Sequence, residues 1–416
     1  MNAFLPRAVR KKIIVKMKRC FLLIFLTSFT LSNLQAQTSE EPVKGKSSSF
    51  VNFFRRSKSD SSKKQKDKKK EPVTTTLSDG SIYIGEVKRV RPHGTGRVIF
   101  TNGDKYNGNF QDGLRHGTGV YEYHNGDVYK GDFKKGNRHG AGVYEFADGR
   151  RYKGNWADDR MHGYGRMDYP NGDFYVGAWH LGNRSGSGTY LFANGASYSG
   201  EWKNDKHNGV GTFLWADNSK YIGEWKNNRR NGEGIFISPS GDRYDGMWNS
   251  NYFEGEGRYV YTDGTFYEGE FKDNVWHGKG KYVAADSTIY EGEFKDGLRD
   301  GHGVLRFPNG AVYEGEWKED VRSGKGTYKW ANGDVYEGNW EDNLMHGAGT
   351  LRLRDGRTYS GGFVEGVEHG AGVAIDRDGL RYEGTFVEGQ RNGKFIVRDT
   401  DGSKLRECVY SLGIMD

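Results

Sequence analysis

Cysteine is almost missing from this chain of 416 residues. The two cysteines, Cys20 and Cys408, cannot make a disulfide framework or a four-ligand zinc site. Proline is scarce at seven residues, and a hydrophobic share of 34% is low for compact domains with ordinary cores. Net basic charge is missing from most of the length. Residues 1–76 hold 18 Lys and Arg against five Asp and Glu, whereas the remainder holds 44 against 50, so the net +7 belongs to the N-terminal segment. A mildly acidic body repels phosphates, which argues against a nucleic-acid partner.

Glycine and aromatic residues are abundant, at 63 residues and 14%, and they are periodic. Tyrosine stands at Tyr83 and then every 23 residues, without insertion, to Tyr382. Two residues after each tyrosine comes glycine, and four after it comes Trp or Phe, except for Val87 in the first unit. This YxGxW pattern predicts a strand. Eleven and thirteen residues after the tyrosine stands GxG, as in Gly117 and Gly119, followed by an apolar alternation such as Tyr121 and Tyr123. That predicts a second strand. Asn-Gly or Asp-Gly closes the second strand in eleven of the fourteen units, which suggests two-residue hairpin turns. The exceptions, Asp217-Asn218, Ser240-Gly241 and Asp286-Ser287, suggest looser turns.

Strand alternation puts Tyr, Gly and Trp/Phe on one face and residues such as Glu314 and Glu316 on the other. Rings from adjacent strands then cover the bare glycines. One apolar face suffices for a single antiparallel sheet, so a mean hydropathy of −0.85 is compatible with folding if the units stack.

The unit that runs from Tyr313-Glu314-Gly315-Glu316-Trp317 through Gly324-Lys325-Gly326 resembles the MORN repeat, the membrane occupation and recognition nexus motif. The resemblance covers residues 83 to about 404. It implies an all-β fold, an elongated, single-layer, solenoid-like array of antiparallel β-hairpins, here of fourteen units of 23 residues. It also implies membrane anchoring, anionic-lipid binding, scaffolding or self-association as roles. At about 10 Å per hairpin the array would measure about 140 Å. The last unit departs from the pattern, because Phe395 stands where the second glycine belongs.

The expected organisation is an export segment at 1–36, a basic Ser/Lys-rich linker at 37–76, repeats at 77–404 and a C-terminal cap at 405–416. Lys11, Lys12, Lys16, Lys18 and Arg19 precede CFLLIFLTSFTL and SNLQAQ, the three parts of a secretory signal, with cleavage expected before Gln37. The apolar run is short for a membrane span. Retention as an uncleaved anchor is the alternative, and Met17 competes with Met1 as the start. The flanking lysines and arginines orient the body outward, so the expected location is the cell envelope or periplasm. In the linker, Phe50, Phe53 and Phe54 precede Arg55 and Arg56, and Lys63, Lys64, Lys66, Lys68, Lys69 and Lys70 follow. Rings beside a polybasic run can hold a segment on an anionic bilayer; a solvated tether is the plainer reading.

Histidine recurs ten residues after the tyrosine in seven units, including His93, His116, His139 and His162. Equivalent atoms of neighbouring hairpins lie about 10 Å apart, too far for one metal ion, so these are expected to be turn residues. The GxG pairs lack the third glycine and the helix of a phosphate loop, and Asp376-Arg377-Asp378-Gly379 lacks the outer ligands of a calcium loop. No cofactor is expected. Carboxylates recur on every unit rather than forming one odd pair, so the expectation is a non-enzymatic scaffold with protein or lipid partners. Self-association through open sheet edges is a further expectation. An alternative is a groove in which Trp156, Trp179, Trp202, Trp225 and Trp248 stack on an extended glycan or peptide; another is a regulatory module of a separate lipid kinase.

Overall fold

The structure, a computed structural model, describes residues 71–415. The export segment and the basic residues Arg55, Arg56, Lys63, Lys64, Lys66, Lys68, Lys69 and Lys70 lie outside the described residues. The described chain forms one antiparallel sheet of 31 strands, each paired with its neighbours in sequence. Each unit contributes a seven-residue first strand and a nine-residue second strand: β2 (Ile82–Lys88) and β3 (Arg91–Ile99), then β4 (Lys105–Gln111) and β5 (Leu114–Glu122), and onward in the same register. The hairpin array expected from the periodicity is the fold. Among the described residues no helix is long and apolar enough to cross a membrane.

The turns differ from the sequence expectation. The Asn-Gly and Asp-Gly pairs are not two-residue turns. At Thr101-Asn102-Gly103, Phe100 and Asp104 close a three-residue loop: the Gly103 N–H donates to Phe100 O at 3.0 Å and the Phe100 N–H to Asp104 O at 2.9 Å. Only the glycine, at φ 90°, takes the left-handed conformation, as expected of a type I turn followed by a bulge. The two-residue turn lies at the other end of the unit, between first and second strands. At Asp112-Gly113 both residues have positive φ, 51° and 92°, and the flanking Gln111 and Leu114 pair directly. The three exceptional turns are no looser than the rest. Asn218 and Ser287 take φ of 67° and 68°, and each donates its N–H back at 3.0 and 2.9 Å, as glycine does elsewhere.

The two glycines of GxG serve different ends. The first, such as Gly117 at φ 65°, sits at a β-bulge where the register shifts between Gly108 and Phe110. The second, Gly119, lies opposite Gly108, and the Tyr106 ring lies over the pair: a Cβ built on Gly119 would stand 2.5 Å from Tyr106 Cε2. Tyrosine is therefore fully buried in a sheet that is one layer thick; Tyr106, Tyr129 and Tyr152 are each 0% exposed. Its hydroxyl donates to the carbonyl three residues on, Tyr106 to Asn109 O at 2.9 Å. This satisfies a group that phenylalanine would leave without a donor. Each unit tyrosine from Tyr106 to Tyr359 also meets two rings edge-on. Tyr129 lies 5.1 Å from Phe133 of its own unit and 5.3 Å from Trp156 of the next, at 89° and 80°. Such pairs each contribute about 0.5–1.5 kcal/mol beyond area burial, and they couple every unit to its successor.

The ends depart from the expected boundaries. Residues 73–76, assigned to the linker, form a strand, β1 (Val73–Thr76), paired with β2. Its four residues are β-branched and suit a pleated ladder. At the other end, β28 (Arg381–Val387) and β29 (Gln390–Arg398) make the last full hairpin. Phe395 takes over the place of the tyrosine ring there, lying across Gly384 and 1% exposed. Tyr382 is displaced and carries the Arg391 guanidinium 3.6 Å above its ring. The segment expected to cap the sheet continues it instead as β30 (Lys404–Ser411) and β31 (Ile414–Met415).

Candidate functional site

The aromatic face comes first, because the candidate groove was placed on it. Trp156, Trp179, Trp202, Trp225 and Trp248 do stand in one row, yet each is only 3–6% exposed. Four of the five donate Nε1–H to a carbonyl of the preceding unit, such as Trp202 to Gly188 O at 3.1 Å and Trp248 to Gly234 O at 3.0 Å. Their faces and edges are taken by neighbouring tyrosines. The row is packing between units and offers no open platform for a glycan or peptide, because the tryptophan rings are themselves buried among their neighbours.

Two recurring elements of this face were not recognised in the sequence. The first is an arginine nine residues after the tyrosine. The Arg184 guanidinium lies 4.5 Å over the Trp202 ring of the next unit, and its Nε donates to Asp205 Oδ1 at 2.9 Å in that unit's two-residue turn. Arg138 with Asp159 and Arg299 with Asp320 repeat the arrangement, at 3.1 and 2.9 Å. The spacing of 21 residues from arginine to acid is the signal that could have revealed it. The second is the turn aspartate. Asp104 accepts from the Tyr121 hydroxyl at 2.7 Å and from the His124 N–H of the next turn at 2.8 Å. Burial pushes its carboxyl up, but these donors outweigh burial and bring it down to about 2.

The histidines are not turn residues. His93 lies within β3, beside the bulge at Gly94, and its Nδ1 faces Asp112 of the following unit at 3.8 Å; His139 faces Asp158 at 3.9 Å. Each contact joins neighbouring units. Among the described residues no group of three or more His, Cys, Asp or Glu is placed to hold a metal ion.

The outward face carries the side chains that alternate with the rings. It is mostly charged and paired across strands, as in Lys281 with Glu291 at 2.6 Å and Arg258 with Glu268 at 3.7 Å. The acids three residues after the tyrosine also cap the bulge; Glu270 accepts from the Lys279 N–H at 2.9 Å. The unit beginning at Tyr175 breaks the pattern with Val176, Ala178, Ser187 and Thr189 in these positions. Small side chains there, between Tyr164 and Val210 at 63% and 58% exposure, leave a shallow depression of about 460 Å³.

The MORN repeat profile matches fourteen consecutive segments, from residues 83–105 to 382–394. The chain belongs to the MORN repeat family. As a MORN array it is a repeat-based binding or scaffold protein. No curated protein matches the chain. Among solved structures, it is similar at 17% identity to the SAS-4 TCP domain of Drosophila melanogaster in complex with a proline-rich motif of Ana2, covering 47% of this chain and 88% of that one, with a TM-score of 0.21. The TCP10 domain of Danio rerio CPAP is 13% identical over 58% and 96%, with a TM-score of 0.20. Virginiamycin B lyase from Staphylococcus aureus is 14% identical over 68% and 91%, with a TM-score of 0.12. Likenesses at these scores carry no argument about the function of this MORN protein.

Proposed function

We propose that this protein is an exported, non-enzymatic scaffold. Its basic segment, Arg55 to Lys70, rests on an anionic membrane surface, and its outward sheet face engages protein partners. The observation that carries this reading is the outward face itself. Its side chains alternate with a fully packed aromatic face, recur at one pitch through fourteen units, and include a shallow depression lined by Tyr164, Val176 and Val210 together with Glu201. Export rests on the three-part N-terminal segment, and membrane contact on the run Lys63 to Lys70, where each basic residue contributes about 1 kcal/mol near an anionic surface.

The test has two arms. Intact mass and N-terminal sequence of the protein from soluble and membrane fractions of its own cells should give a chain starting at Gln37. A chain starting at Met1 or Met17 in the membrane fraction replaces the cleaved signal with an anchor. Flotation with phosphatidylserine vesicles should be lost when the six lysines from Lys63 to Lys70 become glutamine. Unchanged flotation removes the basic segment from the reading.

A further inference from the structure

Inside the array, every second strand has nine residues and covers its partner from the two-residue turn to the far end, as β5 covers β4. The two ends of the sheet carry incomplete second strands. At one end, β1 supplies only the last four positions: Val73 opposite Gly85 and Thr75 opposite Tyr83 repeat the pairing of Gly119 with Gly131 and Tyr121 with Tyr129. At the other, β31 supplies only the first two, with Ile414 opposite Ser411 and Met415 opposite Tyr410, just beyond the turn. Among the described residues no strand covers the outer edge of β30 from Lys404 to Cys408. Among the described residues the outer edge of β1 is uncovered too.

The two fragments are complementary parts of one strand. We propose that copies of this protein associate head to tail, with β1 of one copy pairing antiparallel along the uncovered edge of β30 of another, so that the sheet runs on through the junction. The register follows from the internal units. Phe395 opposite Cys408 and Val397 opposite Arg406 repeat Gly96 opposite Gly108 and Val98 opposite Tyr106, and only beyond them does a bulge at Leu405 shift the register before Lys404 meets Arg398. Arg406 therefore holds the place of a unit tyrosine and Cys408 that of the glycine two residues on. Since Gly108 faces Gly119 and Tyr106 faces Tyr121, the junction sets Val73 opposite Cys408 and Thr75 opposite Arg406. Internal units need glycine at the first pair because a tyrosine ring lies over it. At β30 that tyrosine is replaced by the exposed Arg406, which leaves room for two side chains.

Three observations favour a second copy as the occupant. Exposed apolar side chains gather at these ends: Val73 at 42%, Leu405 at 51%, Ile414 at 74% and Met415 at 55%. Alternation along β1 turns the N–H groups of Thr74 and Thr76 outward, while Val73 and Thr75 serve β2. A back-to-back pair of β30 edges is disfavoured, because a two-fold axis sets Arg406 against Arg406 or Glu407 against Glu407, and like charges directly opposite destabilise a ladder. A head-to-tail contact does not close on itself and gives open chains. The inference stands apart from membrane contact and export.

The test uses the full chain with Cys20→Ser and Val73→Cys, mildly oxidised and run without reductant. Directly opposed residues bring Cα atoms to about 4.5–5.5 Å, within disulfide reach. A ladder of three and more linked copies is expected, and removal of Cys408 by Cys408→Ser should reduce it to dimers at most. Monomers alone, or dimers alone with Cys408 present, would overturn the proposal. Thr74→Pro removes one outward N–H and spares the β1–β2 bonds, so it should weaken association in sedimentation at least tenfold. Unchanged sedimentation would overturn the proposal as well.

Discussion

At the scale of single residues, the tyrosine and the glycine beneath it are one device. The hydroxyl of Tyr244 donates to Met247 O at 2.8 Å, and a Cβ on Gly257 would stand 2.5 Å from that hydroxyl. Tyr244→Phe should therefore cost about 1–2 kcal/mol in urea unfolding, because a bulge carbonyl loses its donor. Gly257→Ala should cost about 2–3 kcal/mol, because the ring and backbone have nowhere to move. The same burial governs ionisation. It pushes the phenols of Tyr106, Tyr336 and Tyr359 up to about 12. A raised folded pKa means stability that is whole below the unfolded value of about 10 and is lost as pH rises through the folded values. Absorbance at 295 nm and circular dichroism should change together between about pH 10 and 12. Ionisation of Tyr106, Tyr336 and Tyr359 near pH 10 with the sheet intact would contradict that burial.

Much of this was legible in the sequence, and the remainder was not for definite reasons. The period of 23 residues gave the strands, their faces and the glycine-aromatic packing, because alternation along a strand leaves its trace in every unit. The turns were misplaced because Asn-Gly is the familiar mark of a two-residue loop, whereas the left-handed residues at the tighter turns are as varied as Leu181, Asn204 and Glu319. The tryptophan groove failed because composition does not say which side of a ring is already occupied. The Arg184 and Asp205 pairing was missed because its partners belong to neighbouring units, and only the register across strands brings them together.

At the scale of elements, the two-residue turn between β2 and β3 stands out. Arg89 and Val90 both have positive φ, 49° and 60°, and Val90 is 96% exposed. A β-branched residue in the left-handed region costs about 1–2 kcal/mol, and here no contact repays it. Val90→Gly should raise the melting temperature of the first hairpin, by hydrogen exchange or calorimetry, although the gain is reduced by the freedom glycine adds to the unfolded chain. The links between hairpins point the other way. Arg184→Met keeps the apolar stem over Trp202 and the backbone N–H bond to Asp205 but removes the two guanidinium bonds, and should lower the cooperativity of unfolding between the units beginning at Tyr175 and Tyr198. A uniform loss of stability with cooperativity unchanged would place the role of Arg184 elsewhere.

At the scale of the molecule, units touch their neighbours through edge-on rings, and many add an arginine that reaches the next turn, as Arg138 and Arg299 do, or an aspartate that bridges adjacent loops, as Asp104 does. Stability then follows as a sum of unit and interface terms rather than from one closed core. Removal of the last two full units with everything after them should leave the rest folded, with a lower midpoint and a proportionally smaller denaturant slope. Loss of all structure on that truncation would contradict it.

The repeat admits no insertion from Tyr83 to Tyr382, and this has a consequence for how such a chain can change length. Loss of a single residue within a strand would turn its rings toward solvent and its charges toward its neighbours' rings. Loss of one whole period instead joins equivalent positions and leaves every remaining residue in its environment. The gene can therefore grow or shrink by recombination between its own copies, in steps of one hairpin. Each step moves the ends of the sheet by about 10 Å while leaving the spacing of everything between them unchanged. The length of the sheet is set by the number of its hairpins.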